Sequence, residues 1–256
     1  MNGWRSGAAD TLRPVSVGSV RGDGLRLAYR AWGSPTSPPV VLLHGITESG
    51  AAWEPVARLL APERYVLAID ARGHGGSAWS PAEEYSPDAH FADLVTALEE
   101  LNVRDCVLVG FSMGGAIAIM TAAARPDLAR ALVVVDAYPA PELSPGSRRI
   151  AELLAAWYED GMTLFPGGCD PAIARRLRDD LLAGDARRLD LWPLWEALTV
   201  PALIVRGECS DVLTAEMARE MLARQPRARL ATLPGVGHQI PLLRARALAE
   251  LILALP

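Results

Sequence analysis

The chain has 256 residues, a length that fits one α/β domain with a small insertion, and half of those residues are hydrophobic, ample for a sizeable core. Charged residues make up 21% and the formal net charge is −5, which leaves no basic footprint for nucleic acid or for an anionic membrane surface. The N-terminal stretch has no apolar core of a signal peptide, and no run reaches the roughly 18 apolar residues of a spanning helix. Cys106, Cys169 and Cys209 are too few and too dispersed for a disulfide framework or a zinc site. These features predict a cytoplasmic chain, monomer or homodimer, with no nucleic-acid or membrane partner and no zinc site.

In chain order, Val15 to Val20 and Leu25 to Ala31 flank Gly22-Asp23-Gly24 and read as an antiparallel hairpin. Short Val-, Ile- and Leu-rich runs follow at Pro39 to Leu43, Tyr65 to Ile69, Cys106 to Val109, Ala131 to Val135 and Ala202 to Val205, each ending near Gly, Asp or His. Such runs suit parallel strands buried on both faces. Helical patterns lie between them at Ala51 to Leu60, Pro87 to Leu101 and Gly114 to Ala124, and after them at Thr214 to Ala223 and Leu242 to Leu255. Strand alternating with helix predicts a parallel sheet covered on both faces.

Residues 138–198 interrupt the alternation. They hold Pro139, Pro141, Pro145 and Pro166, helical stretches near Ser147 to Tyr158 and Pro171 to Leu182, and the aromatics Trp157, Tyr158, Phe165, Trp192 and Trp195. Ligands of open α/β sheets bind at the carboxyl ends of the strands. The segment is therefore expected to be a helical lid inserted into a core of residues 1–137 and 199–256.

Gly110-Phe111-Ser112-Met113-Gly114 fits G-x-S-x-G between an apolar run and a small-residue helix. Such a tight strand-to-helix turn lifts a serine Oγ above the sheet, and the helix N-terminus offers backbone N–H groups to a developing negative charge. A neutral serine needs a base. His238 lies in the glycine-rich loop Gly235-Val236-Gly237-His238, after the run Leu230 to Leu233, and is the candidate. His90 reads as structural or solvated on its helix. His74 belongs to Asp70-Ala71-Arg72-Gly73-His74-Gly75-Gly76-Ser77, read as a structural turn whose polar groups satisfy one another. His44-Gly45 ends a strand, with His44 organising a loop that presents the Ile46 N–H; Met113 would supply the second oxyanion donor. The base also needs a carboxylate to fix its tautomer. Asp211, in Gly207-Glu208-Cys209-Ser210-Asp211, is favoured; Asp136, at the end of Ala131 to Val135, is the alternative, with Glu208 third. Both aspartates satisfy a Ser, Asp, His chain order. His44, Phe111, Trp157, Trp192, Trp195 and Gln239 are candidate pocket residues.

L-L-H-G at Leu42 to Gly45, D-A-R-G-H-G-G-S at Asp70 to Ser77, G-F-S-M-G-G at Gly110 to Gly115 and G-V-G-H-Q-I-P at Gly235 to Pro241 together resemble the successive signatures of the α/β-hydrolase superfamily, in its small bacterial esterase, lactonase and C–C hydrolase branch. The resemblance implies an α/β-hydrolase fold: a mostly parallel eight-stranded sheet with an antiparallel N-terminal hairpin, helices on both faces and a helical lid. It implies Ser112 as nucleophile, His238 as base, and Met113 with Ile46 as oxyanion donors. No cofactor is implied. The acid loop of many relatives reads G-x-x-D, which would place the acid where this chain has Ser210. A serine in place of aspartate as nucleophile argues against dehalogenase and epoxide hydrolase activity. The expected chemistry is hydrolysis of an ester or lactone of a small apolar substrate through an acyl-enzyme. A C–C hydrolase, a thioesterase or a cofactor-free perhydrolase would use the same residues, and a non-catalytic small-molecule receptor is the alternative of another class.

Overall fold

The apolar runs form one eight-stranded sheet. In this computed structural model, residues 16–140, 142–159, 168–183 and 189–256 are described, with the backbone alone for 157–159. Val15, Pro141, Phe165 and Pro166 lie outside the described residues, as do the side chains of Trp157 and Tyr158. The strands are β1 (Ser16–Arg21), β2 (Arg26–Trp32), β3 (Pro39–Leu43), β4 (Tyr65–Ile69), β5 (Cys106–Phe111), β6 (Ala129–Val135), β7 (Ala202–Gly207) and β8 (Ala228–Leu233). Their order across the sheet is β1-β2-β4-β3-β5-β6-β7-β8. β1 pairs antiparallel with β2, and β2 antiparallel with β4; from β4 through β8 every pairing is parallel.

Side chains on a strand alternate between faces, and here both faces are apolar, so each builds its own core. On one face Val41, Leu108, Leu132 and Ile204 pack with α2 (Pro87–Glu100), α3 (Met113–Ala124), the short α6 (Trp192–Glu196) and α7 (Ala215–Arg224). On the other, Val40, Leu42, Val107, Val109 and Val133 pack with α1 (Glu54–Leu60) and α9 (Ala245–Leu253). The expected final helix is two pieces: α8 (Ile240–Leu243) and α9 meet at Arg244, whose backbone leaves the helical region at φ −135° and ψ 35°.

α4 (Pro145–Glu159) and α5 (Pro171–Leu182) pack on each other between β6 and β7 in the chain. The start of α5 is fastened to the turn after β4. His74 and Cys169 form an antiparallel bridge, the Asp170 N–H donates to Gly73 O at 2.7 Å, and the Tyr85 hydroxyl donates to the Asp170 carboxylate. α6 behaves differently from α4 and α5. It packs against α3, and its Trp195 is wholly buried in the first core cluster. The stretch expected to be one inserted lid thus contains a helix that belongs to the core. Among the described residues no helix is long and apolar enough to cross a membrane.

The turn after β4 is the polar hub expected from its sequence. The buried Asp70 carboxylate accepts from the backbone N–H groups of Gly50 (2.6 Å) and Gly76 (2.8 Å) and from Arg30 (3.0 Å). The buried Arg72 guanidinium grips Asp93 on α2 through two hydrogen bonds of 2.6 and 2.9 Å. A buried carboxylate with several charge-assisted partners is compatible with a dry interior.

Candidate active site

Ser112 is the hinge between β5 and α3, with φ 53° and ψ −116°, a region that side-chain-bearing residues rarely occupy. Close packing enforces it. A Cβ on Gly110 would lie 2.2 Å from Gly114 O, and one on Gly114 would lie 2.4 Å from Leu43 O. Only glycine lets α3 begin this close to the ends of β3 and β5. The Ser112 N–H is held by Val135 O at 3.0 Å and the Gly114 N–H by His44 O at 3.1 Å, so the turn is tied to both neighbouring strands. Thr47 and Asp136 also have positive φ, of 63° and 49°. Three such residues at the carboxyl edge of one sheet mark a place where backbone strain, roughly 1–3 kcal/mol per residue, is tolerated.

His238 lies in the loop after β8, with its side chain 15% exposed. Its Nδ1 is 2.8 Å from Asp136 Oδ2. A carboxylate can only accept, so Nδ1 carries the hydrogen, which in the neutral ring leaves the lone pair on Nε2. Ser112 and His238 line the same cavity, about 150 Å³ in volume. The His238 ring also leans on Phe111, with 4.6 Å between ring centroids.

The carboxylate beside His238 is Asp136 and not the favoured Asp211. Asp136 is fully buried and accepts two further hydrogen bonds, from Ser210 Oγ at 2.5 Å and the Gly207 N–H at 3.2 Å. Ser210 stands where many relatives of the expected family would carry their acid. Here its short side chain points inward as a donor to a carboxylate supplied by the adjacent strand. The next residue, Asp211, then points outward: its half-exposed carboxylate pairs with Arg149 on α4 at 2.5 Å, and its backbone oxygen accepts from the Gly146 N–H at 3.1 Å. Asp211 therefore fastens α4 to the body. Glu208 accepts from the Gly235 N–H at 2.9 Å, steadying the His238 loop from outside.

The two expected oxyanion donors, Met113 and Ile46, border one cavity together with Ser112. Met113 is the first residue of α3, where N–H groups have no partner within the helix. Ile46 follows Gly45, whose N–H donates to the buried Glu48 carboxylate at 3.2 Å. The other Glu48 oxygen accepts from Gln239 Nε2 at 3.3 Å, which links this loop to the one carrying His238. His44 is the loop organiser expected of it: Nδ1–H donates to Gly45 O at 2.7 Å and Nε2 accepts from the Ala71 N–H at 2.9 Å. Burial pushes its pKa down.

Of the expected pocket residues, Phe111 and Gln239 line the 150 Å³ cavity. His44 does not; it is 1% exposed behind the loop. Trp195 does not either, because its indole N–H donates to Met221 O at 2.9 Å on α7, deep in the core. Trp192 stacks edge-on against Tyr138 and lies under Arg224, 4.2 Å from its ring centroid. Trp157 has no described side chain. Residues that sequence reasoning missed come from α4 and α2. Ile150, Leu153 and Leu154 line the smaller cavity, and their i, i+3, i+4 spacing on α4 was the available signal. His90, read as structural or solvated, is buried but lines a second cavity of about 560 Å³ that also reaches Ser112. Burial holds its pKa down at about 3, so it faces that cavity as a neutral imidazole.

Comparison with known proteins fits this geometry. Residues 40–251 match the model of the alpha/beta hydrolase family. The chain is 31% identical to an sn-1-specific diacylglycerol lipase of Mus musculus, over 89% of this chain and 86% of that protein. It is 29% identical to a 3-hydroxybutyrate-oligomer hydrolase of Cupriavidus necator, over 83% of this chain and 87% of the relative. Among solved structures it resembles an alpha/beta hydrolase from Novosphingobium aromaticivorans, with a TM-score of 0.73, 28% identity, and coverage of 94% of this chain and 98% of that one. A match across most of the chain, on a sheet of this order, leads to one conclusion: the chain belongs to the alpha/beta hydrolase family and is a hydrolase.

Proposed function

We propose that this hydrolase cleaves a carboxylic ester or lactone through a covalent acyl-enzyme, with Ser112 as nucleophile, His238 as base and Asp136 as the carboxylate that orients it. The observation that carries the reading is the 2.8 Å contact from His238 Nδ1 to a fully buried Asp136 carboxylate, beside a serine on a strained turn in the same cavity. His238 Nε2 takes the Ser112 proton as Oγ attacks the carbonyl carbon. The oxyanion collects between the Met113 and Ile46 amides. Collapse expels the alcohol, protonated by His238; water, activated by the same imidazole, then frees the acid and restores the serine. Asp136 stays ionised and stabilises the imidazolium formed in each half. The α4–α5 pair acts as the lid. Two relatives carry names of ester-cleaving activities, a diacylglycerol lipase and a 3-hydroxybutyrate-oligomer hydrolase, which supports an ester over a C–C bond.

The test is Ser112→Ala. Turnover of p-nitrophenyl butyrate and labelling by a fluorophosphonate probe are expected to vanish while the far-UV circular dichroism spectrum stays that of the parent. Turnover undiminished in the variant would end this reading. A parent protein that neither hydrolyses esters nor reacts with the probe would favour a receptor.

A further inference from the structure

The two cavities that reach Ser112 differ in size and in which catalytic group they contain. Ile46, Ser112, Ile150 and Leu154 border both. His238 borders only the smaller, of about 150 Å³, together with the polar groups of Thr47, Glu48 and Gln239. Met113, at the start of α3, borders only the larger, of about 560 Å³.

The chemistry assigns a role to each. The leaving oxygen must receive its proton from His238, so the alcohol part of the substrate begins on the His238 side of Ser112. The acyl chain extends from the other side of the carbonyl carbon, where Ala116, Ala137, Leu143 and Ala151 leave space. A cavity of about 150 Å³ holds one benzene-sized group, whereas pockets of several hundred cubic ångströms hold drug-sized molecules. The charged residues among the described lining of the larger cavity are Asp88 and Asp180, both carboxylates on exposed positions. A carboxylate at the far end of the acyl chain would meet like charge there.

We propose that Ser112 divides the site into a large acyl chamber and a small alcohol chamber, so that the substrate class is an ester joining a bulky, uncharged acyl group to a small alcohol. This rests on the serine-hydrolase reading above and narrows it.

Ethyl octanoate and octyl acetate are isomers that exchange the long and short sides of the ester. The purified full chain is expected to show a kcat/KM at least tenfold higher for ethyl octanoate. Monoethyl suberate, which places a carboxylate at the end of the same acyl length, is expected to fall at least tenfold below ethyl octanoate. Ala151→Phe, which fills only the larger cavity, is expected to lower the ethyl octanoate to octyl acetate ratio at least fivefold. Equal or reversed preference between the isomers overturns the proposal. So does an unchanged ratio in the folded Ala151→Phe protein, equal use of the charged ester, or failure to turn over both isomers while Ser112 still reacts with a fluorophosphonate. Absence of fluorophosphonate labelling would instead strike the reading beneath it.

Discussion

At the scale of single residues, the site depends on where one carboxylate points. Asp136 lies at 0% exposure with three donors aimed at it, from His238, Ser210 and Gly207, so its charge is fully employed in a dry setting. Removing that charge while keeping the shape tests its role. Asp136→Asn is expected to lower kcat by about 10³–10⁴-fold, because an amide can no longer stabilise the imidazolium or enforce the productive tautomer. Asp211→Asn removes only a half-exposed pair with Arg149, a kind of interaction worth about 0–1 kcal/mol, and is expected to stay within about twofold of the parent in kcat. Steady-state kinetics of both variants on one p-nitrophenyl ester decide the matter; equal losses would return Asp211 to the catalytic set. The sequence could not separate the two. Both aspartates follow a strand and precede His238, and the difference lies in the direction of neighbouring side chains: Ser210 turns in and Asp211 turns out. The shared placement of Ser112 and His238 on one cavity was legible because each sits in a motif whose glycines report a local backbone shape. Trp192 and Trp195 were misread because an aromatic in an irregular segment looks the same whether it faces a cavity or, as Trp195 does, a core helix.

At the scale of elements, β3, β4, β5, β6 and β7 were legible because each is an apolar run buried on both faces. The division of the last helix at Arg244 was not, since the residues on both sides are equally good helix formers. The most consequential element contact is the start of α3 against the end of β3. Gly114 is the closest approach, and the obstacle to any side chain there is backbone: Leu43 O at 2.4 Å and Leu43 C at 2.6 Å from an added Cβ. Backbone at the end of a fully buried strand cannot swing aside as a side-chain tip can. Gly114→Ala is therefore expected to push α3 outward, with an overpacking cost of about 1–3 kcal/mol. The Met113 amide moves with the helix, and a misplacement of about 1 Å can cost roughly 10²-fold in rate. Thermal unfolding followed by circular dichroism should show Tm lower by several degrees, and kcat should fall more steeply than the remaining folded fraction accounts for. Gly24→Asn is the control. The residue has φ 78° with open space around its Cβ position, and asparagine tolerates that conformation, so both readouts are expected to stay near the parent. Unchanged Tm and kcat in Gly114→Ala would mean that the contact is looser than drawn.

At the scale of the whole molecule, three of the four histidines are buried side by side against the turn after β4. His44 and His74 have ring centroids 5.1 Å apart, and His74 and His90 6.4 Å apart. Burial lowers the pKa of all three; His90 is held at about 3, and His74 lies well below its ordinary value with Nε2 buried and without a hydrogen-bond partner among the described residues. In the unfolded chain the same imidazoles protonate near pH 6.5. Between that pH and the depressed native values the unfolded state binds more protons than the native state. Each histidine then removes stability as pH falls, by up to about 1.4 kcal/mol per pH unit, and removes none above pH 7. The window from pH 6.5 to 5 separates histidines from ordinary carboxylates, which do not titrate until about pH 4. The unfolding free energy, from urea titrations followed by tryptophan fluorescence, is expected to be level from pH 8 to 7 and to decline steadily from 6.5 to 5. His90→Gln, which keeps a neutral polar group at that position, is expected to make the decline shallower by close to one proton's worth while leaving the level part level. A pH profile flat down to 5, or one whose slope ignores His90→Gln, would mean that these imidazoles gain protons in the native interior as readily as in water, and the dry packing of the turn after β4 would have to be abandoned.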